Sequence, residues 1–177
     1  DNIATVWLNR PDAHNSLNEE VISEISDCFD KMQKIKYLQL VLLRGKGRSF
    51  CAGADINWMR SVSEYDFNRN KKESRKLAKC FYKIYSSEIP VVGIAHGACM
   101  GGGIGLLSAC SVAFCANNTS FAFSEVKLGL VPATIAPYII KRIGEFRALE
   151  LMLTGEKFDG EAAERFGLVN KSLPDED

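Results

Sequence analysis

Histidine is scarce in this chain of 177 residues, and neither sign of charge is in excess. The two histidines, His14 and His96, are far apart in sequence, so a histidine-rich metal site is not expected. Lysine and arginine together number 22, as do aspartate and glutamate, so the formal net charge is zero. A neutral chain without a basic tract is a poor candidate for binding nucleic acid or an anionic membrane surface. With 46% hydrophobic and 25% charged residues, residues 1–177 read as one ordinary globular domain.

The cysteines form no C-x-x-C pair, and most of them lie among apolar residues. They are Cys28, Cys51, Cys80, Cys99, Cys110 and Cys115. We therefore predict buried free thiols in a reducing compartment, and hence a cytoplasmic location.

One stretch, residues 89–124, contains no Asp, Glu, Lys or Arg. It is longer than the ~20 residues that span a bilayer. Pro90, His96 and a glycine cluster interrupt it, which is not typical of one continuous apolar helix. We predict instead a strand, a loop, a helix and a strand buried in a core.

Strand-like and helix-like segments alternate along the chain. Apolar runs predict strands at 3–9, 38–44, 91–94 and 112–116, and helical spacing predicts helices over about 18–35, 64–85, 102–109, 134–143 and 147–153. Asp159 is a candidate N-cap for a last short helix that stops at Gly167. Strands separated by helices indicate an α/β protein built from parallel units.

Three familiar motifs are absent from the sequence. The glycines do not fit G-x-G-x-x-G, and there is no G-x-x-x-x-G-K-[ST], so dinucleotide and P-loop binding are not indicated. There is also no G-x-S-x-G, and His96 has no evident serine partner, which argues against a serine hydrolase.

Two glycine clusters are present, each between the end of a predicted strand and the start of a probable helix. The first covers residues 50–56 and the second covers residues 96–105. Small residues there expose backbone amides, and two amides from separate loops could converge on one carbonyl oxygen and stabilise an enolate. Each cluster taken alone is equally consistent with close packing of helix on sheet.

Such a site needs a proton carrier, and Glu125 is the leading candidate. It ends the uncharged stretch, so partial desolvation would raise the pKa of its carboxyl. The alternatives for Glu125 are an N-cap or an ion pair with Lys127. Asp55 is the other nearby acid, and it more plausibly caps the helix that follows its loop.

The motifs resemble, in order and over nearly the whole chain, those of the crotonase, or enoyl-CoA hydratase/isomerase, superfamily. They are Leu8-Asn-Arg-Pro11, Phe50-Cys-Ala-Gly-Ala-Asp55, Gly101-Gly-Gly103, Ser124-Glu-Val-Lys-Leu-Gly-Leu-Val-Pro132, Leu153-Thr-Gly155 and Gly167-Leu-Val169. The resemblance implies an α/β spiral of β-β-α units around a core sheet and an acyl-CoA thioester as ligand.

The resemblance also assigns roles to single residues. It implies that Ala54 and Gly102 supply two oxyanion-hole amides and that Glu125 is the catalytic acid and base. Trp58 and Met59 would border the acyl pocket, unless they are ordinary helix core. The resemblance places the CoA or acyl group against Arg10, Ala13, Ala52, Gly53, Asp55, Ile56, Trp58, Gly101, Gly105, Pro132 and Ala133.

Two departures from the family pattern bear on the reaction. Hydratases with two glutamates carry the other one where this chain has Gly105, and their glycine-rich loop reads here as residues 133–137, Ala-Thr-Ile-Ala-Pro. A single carboxylate suffices for an isomerase that moves a double bond. However, the segments Gly53-Ala-Asp-Ile-Asn-Trp-Met59 and 124–139 most resemble those of bacterial methylglutaconyl-CoA hydratases of leucine breakdown. We therefore expect hydration of a 2-enoyl-CoA, with Δ3-Δ2 enoyl-CoA isomerisation and a non-catalytic acyl-CoA-binding protein as alternatives.

Members of this superfamily usually continue past the Gly-Leu-Val segment into helices that cover the site and build trimers. Because this sequence stops at Asp177, we expect it to be part of a longer protein lacking those helices here. Homotrimers or hexamers follow from the resemblance alone. No cofactor or metal is expected, since proton transfer to and from an enolate needs neither.

Overall fold

The main sheet consists of five parallel strands, which lie side by side in the order in which they follow one another along the chain. This computed structural model describes residues 2–174. The strands are β1 (Ile3–Leu8), β2 (Leu40–Gly45), β3 (Val91–Ala95), β5 (Val112–Ala116) and β7 (Lys171–Leu173). Because all five run in the same direction, their carboxyl ends lie at one edge of the sheet, where α/β folds place ligands.

Seven helices are described: α1 (Glu19–Met32), α2 (Ile56–Ser63), α3 (Phe67–Tyr85), α4 (Gly102–Ala109), α5 (Ala136–Ile143), α6 (Glu145–Thr154) and α7 (Gly160–Phe166). Helix α1 shows how the sequence forms them. Asn18 caps it by accepting a hydrogen bond from the Val21 amide at 2.9 Å. Its apolar residues recur at helical spacing and are buried: Val21, Ile22, Ile25, Phe29 and Met32.

A second, shorter ladder lies beyond the carboxyl ends of the main strands. Strand β4 (Ala98–Met100) pairs in parallel with β6 (Ser120–Ala122). Isolated parallel bridges between Cys51 and Cys99, and between Leu17 and Ala54, continue the ladder. Strands β1, β2, β3 and β5 are thus each followed by an extended segment in this ladder. The predicted α/β spiral of β-β-α units is confirmed.

Several predicted boundaries shift. The helix predicted over 64–85 begins at Phe67, because Asp66 caps it by accepting from the Arg69 amide at 2.8 Å. A separate helix, α2, precedes it. The predicted helix 134–143 begins at Ala136. Strands β4, β6 and β7 are not predicted, because three residues are too few to show an alternation. That residues 1–177 form a single domain stays a prediction.

All six cysteines are free, as predicted; Cys28 is half-buried and the other five are buried. Burial raises the pKa of the Cys51 and Cys110 thiols to about 12. The uncharged stretch folds as β3, β4, α4, β5 and β6, which agrees with a buried core segment. Within residues 2–174 no helix is both long enough and apolar enough to cross a membrane.

Candidate active site

The first glycine cluster follows β2 and presents the Ala54 amide. Leu17 donates its amide to the Gly53 carbonyl at 2.7 Å, and its own carbonyl accepts from the Asp55 amide at 2.9 Å. In this parallel bridge the two neighbours of Ala54 bond to Leu17, so the Ala54 amide points away from it. No residue within 2–174 accepts a hydrogen bond from that amide, which leaves it free for a ligand.

Asp55 and Arg10 hold the loop of the first glycine cluster in place. Asp55 caps α2 by accepting from the Asn57 and Trp58 amides at 2.9 and 3.2 Å, which confirms its predicted capping role. It also pairs with Arg10 at 3.1 Å. Burial acts to raise the pKa of the Asp55 carboxyl, but these amides and the guanidinium outweigh it and hold that pKa below its ordinary value.

A second anchor comes from the segment before α1, where His14 and Asn15 both have positive φ, at 49° and 55°. The buried Asn15 side chain donates to the Lys46 and Ser49 carbonyls at 2.8 and 2.7 Å and accepts from the Arg10 amide. These bonds compensate a backbone conformation that is uncommon for residues with a side chain. They tie the segment before α1 to residues 46–49, which directly precede the first glycine cluster.

The second glycine cluster forms the start of α4. Gly101 stands at the N-cap with φ of 44°, a value that favours glycine, and no side chain caps the helix there. Gly102 is the first helical residue, so its amide has no partner inside the helix. No acceptor for it is found elsewhere in the described residues.

The two clusters touch. A β-carbon built on Gly53 would lie 3.2 Å from the Met100 carbonyl oxygen and 3.9 Å from the Gly102 nitrogen. A β-carbon on Gly102 would lie 2.9 Å from Leu17 Cδ1, next to the bridge that orients Ala54. The structure therefore brings Ala54 and Gly102 into one neighbourhood.

Glu125 reaches the same place from the 3₁₀ turn Ser124–Leu128. A β-carbon on Gly101 would lie 2.7 Å from Glu125 Oε1, so the carboxylate rests against the first turn of α4. Its Oε2 is buried and has no hydrogen-bond partner in the described chain. Burial raises the pKa of the Glu125 carboxyl, and its own backbone amide offsets only part of this. Within residues 2–174 Glu125 forms no ion pair, so the alternative pairing with Lys127 is not observed.

Gly105 lies one turn further along α4 and does not face open space. A β-carbon there would overlap Cγ2 of Ile135 and would lie 3.2 Å from Phe81 Cε1. Ile135 is 2% exposed. Contact between Gly105 and substrate stays a prediction.

The other residues predicted to contact the ligand differ in how exposed they are. Ile56 is 68% exposed. Trp58 is half-buried, and its Nε1 is enclosed without a partner in the described chain. An open groove of about 830 Å³ runs past Arg10, Asp55 and Trp58 between the starts of α1 and α2, but Glu125 does not line it. The remaining positions are half-buried at Ala13 and Ala52, buried at Pro132 and exposed at Ala133.

Sequence reasoning misses three residues that shape this region: Leu17, Asn15 and Ile135. Leu17 and Asn15 act through backbone bridges and buried amide bonds, which leave no periodic signal. Ile135 lies in the loop 133–137, which differs from the family pattern. The sequence indicates that this loop is unusual, but it does not indicate that Ile135 contacts Gly105.

This fold and this arrangement of loops belong to a known class. The chain is a member of the enoyl-CoA hydratase/isomerase family, whose model matches residues 1–177.

Relatives of this chain are named as isomerases and as hydratases. The chain is 31% identical over 184 residues to a mitochondrial Delta(3,5)-Delta(2,4)-dienoyl-CoA isomerase of Dictyostelium discoideum, covering 99% of this chain and 63% of that protein. It is 29% identical over 177 residues to a hydroxycinnamoyl-CoA hydratase-lyase of Pseudomonas fluorescens, covering 98% and 64%. A crystal structure of an enoyl-CoA hydratase from Shewanella pealeana superposes with a TM-score of 0.96 at 34% identity, covering 99% and 66%. The chain spans about two thirds of the length of these relatives.

Proposed function

We propose that this protein adds water to the double bond of a 2-enoyl-CoA thioester through an enolate, with Glu125 as its acid and base. The observation that carries the proposal is the half-buried carboxylate of Glu125, which rests against Gly101 and whose Oε2 is enclosed without a hydrogen-bond partner in the described chain. It lies beside two loops whose amides, at Ala54 and Gly102, have no acceptor within residues 2–174.

The proposed mechanism uses these groups in sequence. The Ala54 and Gly102 amides donate to the thioester oxygen, where negative charge grows as the enolate forms. Glu125 takes a proton from water, the resulting hydroxide adds at C3, and the protonated carboxyl returns that proton to C2. The raised pKa suits a group that must both accept and return a proton. The chemistry requires no metal or cofactor.

Isomerisation of a 3-enoyl-CoA is the second candidate, and one observation favours it. Position 105 carries no carboxylate and is closed by Ile135, so Glu125 has no second acid to share the work. A single carboxylate can remove a proton from C2 and deliver it to C4 without water. Hydration asks the same group to activate water as well.

A labelled-water assay separates the two reactions. The purified protein is incubated with 2-enoyl-CoA and 3-enoyl-CoA thioesters in ¹⁸O-labelled water. Hydration yields a 3-hydroxyacyl product that carries the label, whereas isomerisation yields a 2-enoyl product without it. Methylglutaconyl-CoA is the first 2-enoyl thioester to test, because the motif resemblance favours it.

Substitution of Glu125 by glutamine tests the mechanism itself. General acid–base catalysis contributes roughly 10²–10⁴-fold, so E125Q should lose at least 100-fold in turnover. Binding of the CoA thioester should remain, because the amides are untouched. Full turnover in E125Q overturns the mechanism. Thioester binding by the unaltered protein without turnover of any enoyl substrate would establish the third alternative, a non-catalytic binding protein.

We further infer a cytoplasmic homotrimer or hexamer. Free thiols support the location. Large apolar side chains left exposed support the assembly, among them Val131 at 81%, Phe146 at 88% and Leu153 at 65%. Sedimentation equilibrium of the purified protein tests the assembly, and a monomer at micromolar concentration overturns it.

A further inference from the structure

The two departures from the two-glutamate pattern, at Gly105 and in the loop 133–137, are in direct contact. A β-carbon at position 105 would overlap Ile135 Cγ2 and lie 3.0 Å from Ile135 Cβ. Ile135 is buried, and its β-branched side chain has few rotamers to escape into. A side chain at position 105 would therefore force Ile135 to move, at a cost in stability.

Gly105 lies one helical turn beyond the residue that Glu125 contacts. The Gly105 amide donates to the Gly101 carbonyl at 3.1 Å, so the two glycines are one helical turn apart. Residues four apart share a helix face, and Cα–Cβ bonds tilt toward the helix N-terminus. Gly101 is also the residue against which the Glu125 carboxylate rests. A glutamate at 105 would thus extend to the neighbourhood of Glu125.

We propose that Ile135 is a specificity-determining residue, because it fills the space beside Gly105 and so restricts the site to one carboxylate. Glu125 then handles the proton alone, and the reaction available to the site is set by what one carboxylate can do. This inference about the reaction rests on the proposed function of Glu125. The packing of Ile135 against Gly105 is independent of that function.

A double-mutant cycle tests the packing. The proteins are the unaltered chain, Gly105→Glu, Ile135→Gly and the double variant. Glycine is compatible with the backbone at 135, because that residue is the N-cap of α5. The cavity that Ile135 leaves lowers the stability of both I135G proteins, so the cycle compares them with each other. We expect G105E alone to lower the melting temperature by about 5 °C or more through overpacking. In the I135G background the same change should cost less than half as much.

A matched variant controls for any nonspecific effect of opening space. Ile139 is also fully buried on α5 but is not among the atoms nearest to position 105. Ile139→Ala should therefore give G105E no relief. Equal losses from G105E in the unaltered and I135G backgrounds, or equal relief from I139A, overturn the proposal.

The pH dependence of turnover provides the readout that packing alone would not move. Two nearby carboxylates cannot both ionise easily, so one of them titrates at a higher pH. The acid limb of the double variant should shift upward by about one pH unit relative to I135G. An unshifted limb in a folded double variant overturns the role of Ile135 in limiting the carboxylates. If E125Q keeps its turnover, the proposed function fails while the stability cycle remains interpretable.

Discussion

Asp55 and Glu125 are the acids of two loops that meet at α4, and the two loops are held in different ways. Side chains anchor the Asp55 loop: Arg10 pairs with it, and Asn15 bonds to the backbone behind it. Among the described residues, the Glu125 segment is closed by backbone bonds, such as the Leu130 amide to the Glu125 carbonyl at 3.0 Å. The surroundings shift the two pKa values in opposite directions, downward for Asp55 and upward for Glu125.

The opposite pKa shifts are those expected of a structural acid, Asp55, and of the proposed catalytic acid and base, Glu125. Asp55 is stabilised in its charged form by hydrogen-bond donors, so its charge contributes to folding. Glu125 is destabilised in its charged form by burial, so its charge opposes folding. A carboxyl whose pKa is raised by burial and only partly lowered again by a hydrogen bond is a candidate for moving protons.

The largest effect is expected where a side chain would displace the Glu125 carboxylate. Gly101→Ala places a β-carbon 2.7 Å from Glu125 Oε1 and forces a positive φ on alanine. Misplacing a reacting group by about 1 Å can cost on the order of 100-fold, so turnover should fall by about that factor. Steady-state kinetics on the purified variant measures the loss.

The control for this prediction is Gly144→Ala. Gly144 also has a positive φ, at 78°, but a β-carbon there meets nothing within 4 Å. It should lose about 1–3 kcal/mol of stability from backbone strain and keep its turnover. Equal kinetic losses in both variants would show that strain, not the carboxylate, is responsible.

Turnover should also depend on pH in a direction set by Glu125. Because its pKa is raised from the ordinary 4.5, the acid limb of the rate profile should lie above that value. Below the limb the rate should fall about tenfold per pH unit, since the base is then protonated. An acid limb at or below pH 4.5 contradicts the assignment of Glu125 as base.

A smaller effect is expected from removing the cap at Asp55. Asp55→Ala loses the cap of α2 and the partner of Arg10, and should cost about 1–2 kcal/mol of stability. This contribution is present above the ordinary aspartate pKa and is lost as pH falls through the lowered pKa of Asp55. Thermal denaturation at pH 7 and pH 3 measures it.

Asp66→Ala is the matched control, because Asp66 caps α3 in the same way and lies outside the site. It should lower stability to a similar extent without changing turnover. Asp55→Ala should lower turnover as well, because the Ala54 amide is in the same loop. Unchanged turnover in Asp55→Ala would remove the link between loop anchoring and catalysis.

The smallest expected effect is a gain in the stability of the fold. Because the pKa of Glu125 is raised by burial, its protonated form favours the fold, and that contribution disappears as pH rises through the raised pKa. Glu125→Gln should therefore be slightly more stable than the unaltered protein at pH 7 to 8. The difference should vanish below pH 4.5, where both side chains are neutral. A less stable variant at neutral pH contradicts the burial argument.

Sequence pattern predicts the long elements of this fold because burial imposes a period on them. Helix α1 and strands β2 and β3 can be predicted from the spacing of their apolar residues. The spiral itself depends on short pairings, such as Cys51 with Cys99, which carry no period and follow here only from the family resemblance. The position of Glu125 at the end of an uncharged stretch indicates its burial. Its contact with Gly101 depends on how the Ser124–Leu128 turn packs on α4, which no local signal encodes.

The same limit applies to Ile135. The sequence shows two departures from the family pattern, Gly105 and the loop 133–137 that contains Ile135. Only the folded structure shows that the Ile135 side chain fills the space that a side chain at position 105 would occupy. Complementary volumes in a close-packed core are a property of the assembled interior.

The buried thiols of Cys51 and Cys99 lie in the short ladder that carries the glycine loops. With the pKa of Cys51 at about 12 and the atoms enclosed, an alkylating reagent can reach them only when that layer opens. Half-buried Cys28 provides an internal reference on α1. Mass-spectrometric timing of alkylation at each cysteine would therefore report the fraction of time that the ladder is open, when closing is faster than alkylation, and the opening rate when alkylation is faster.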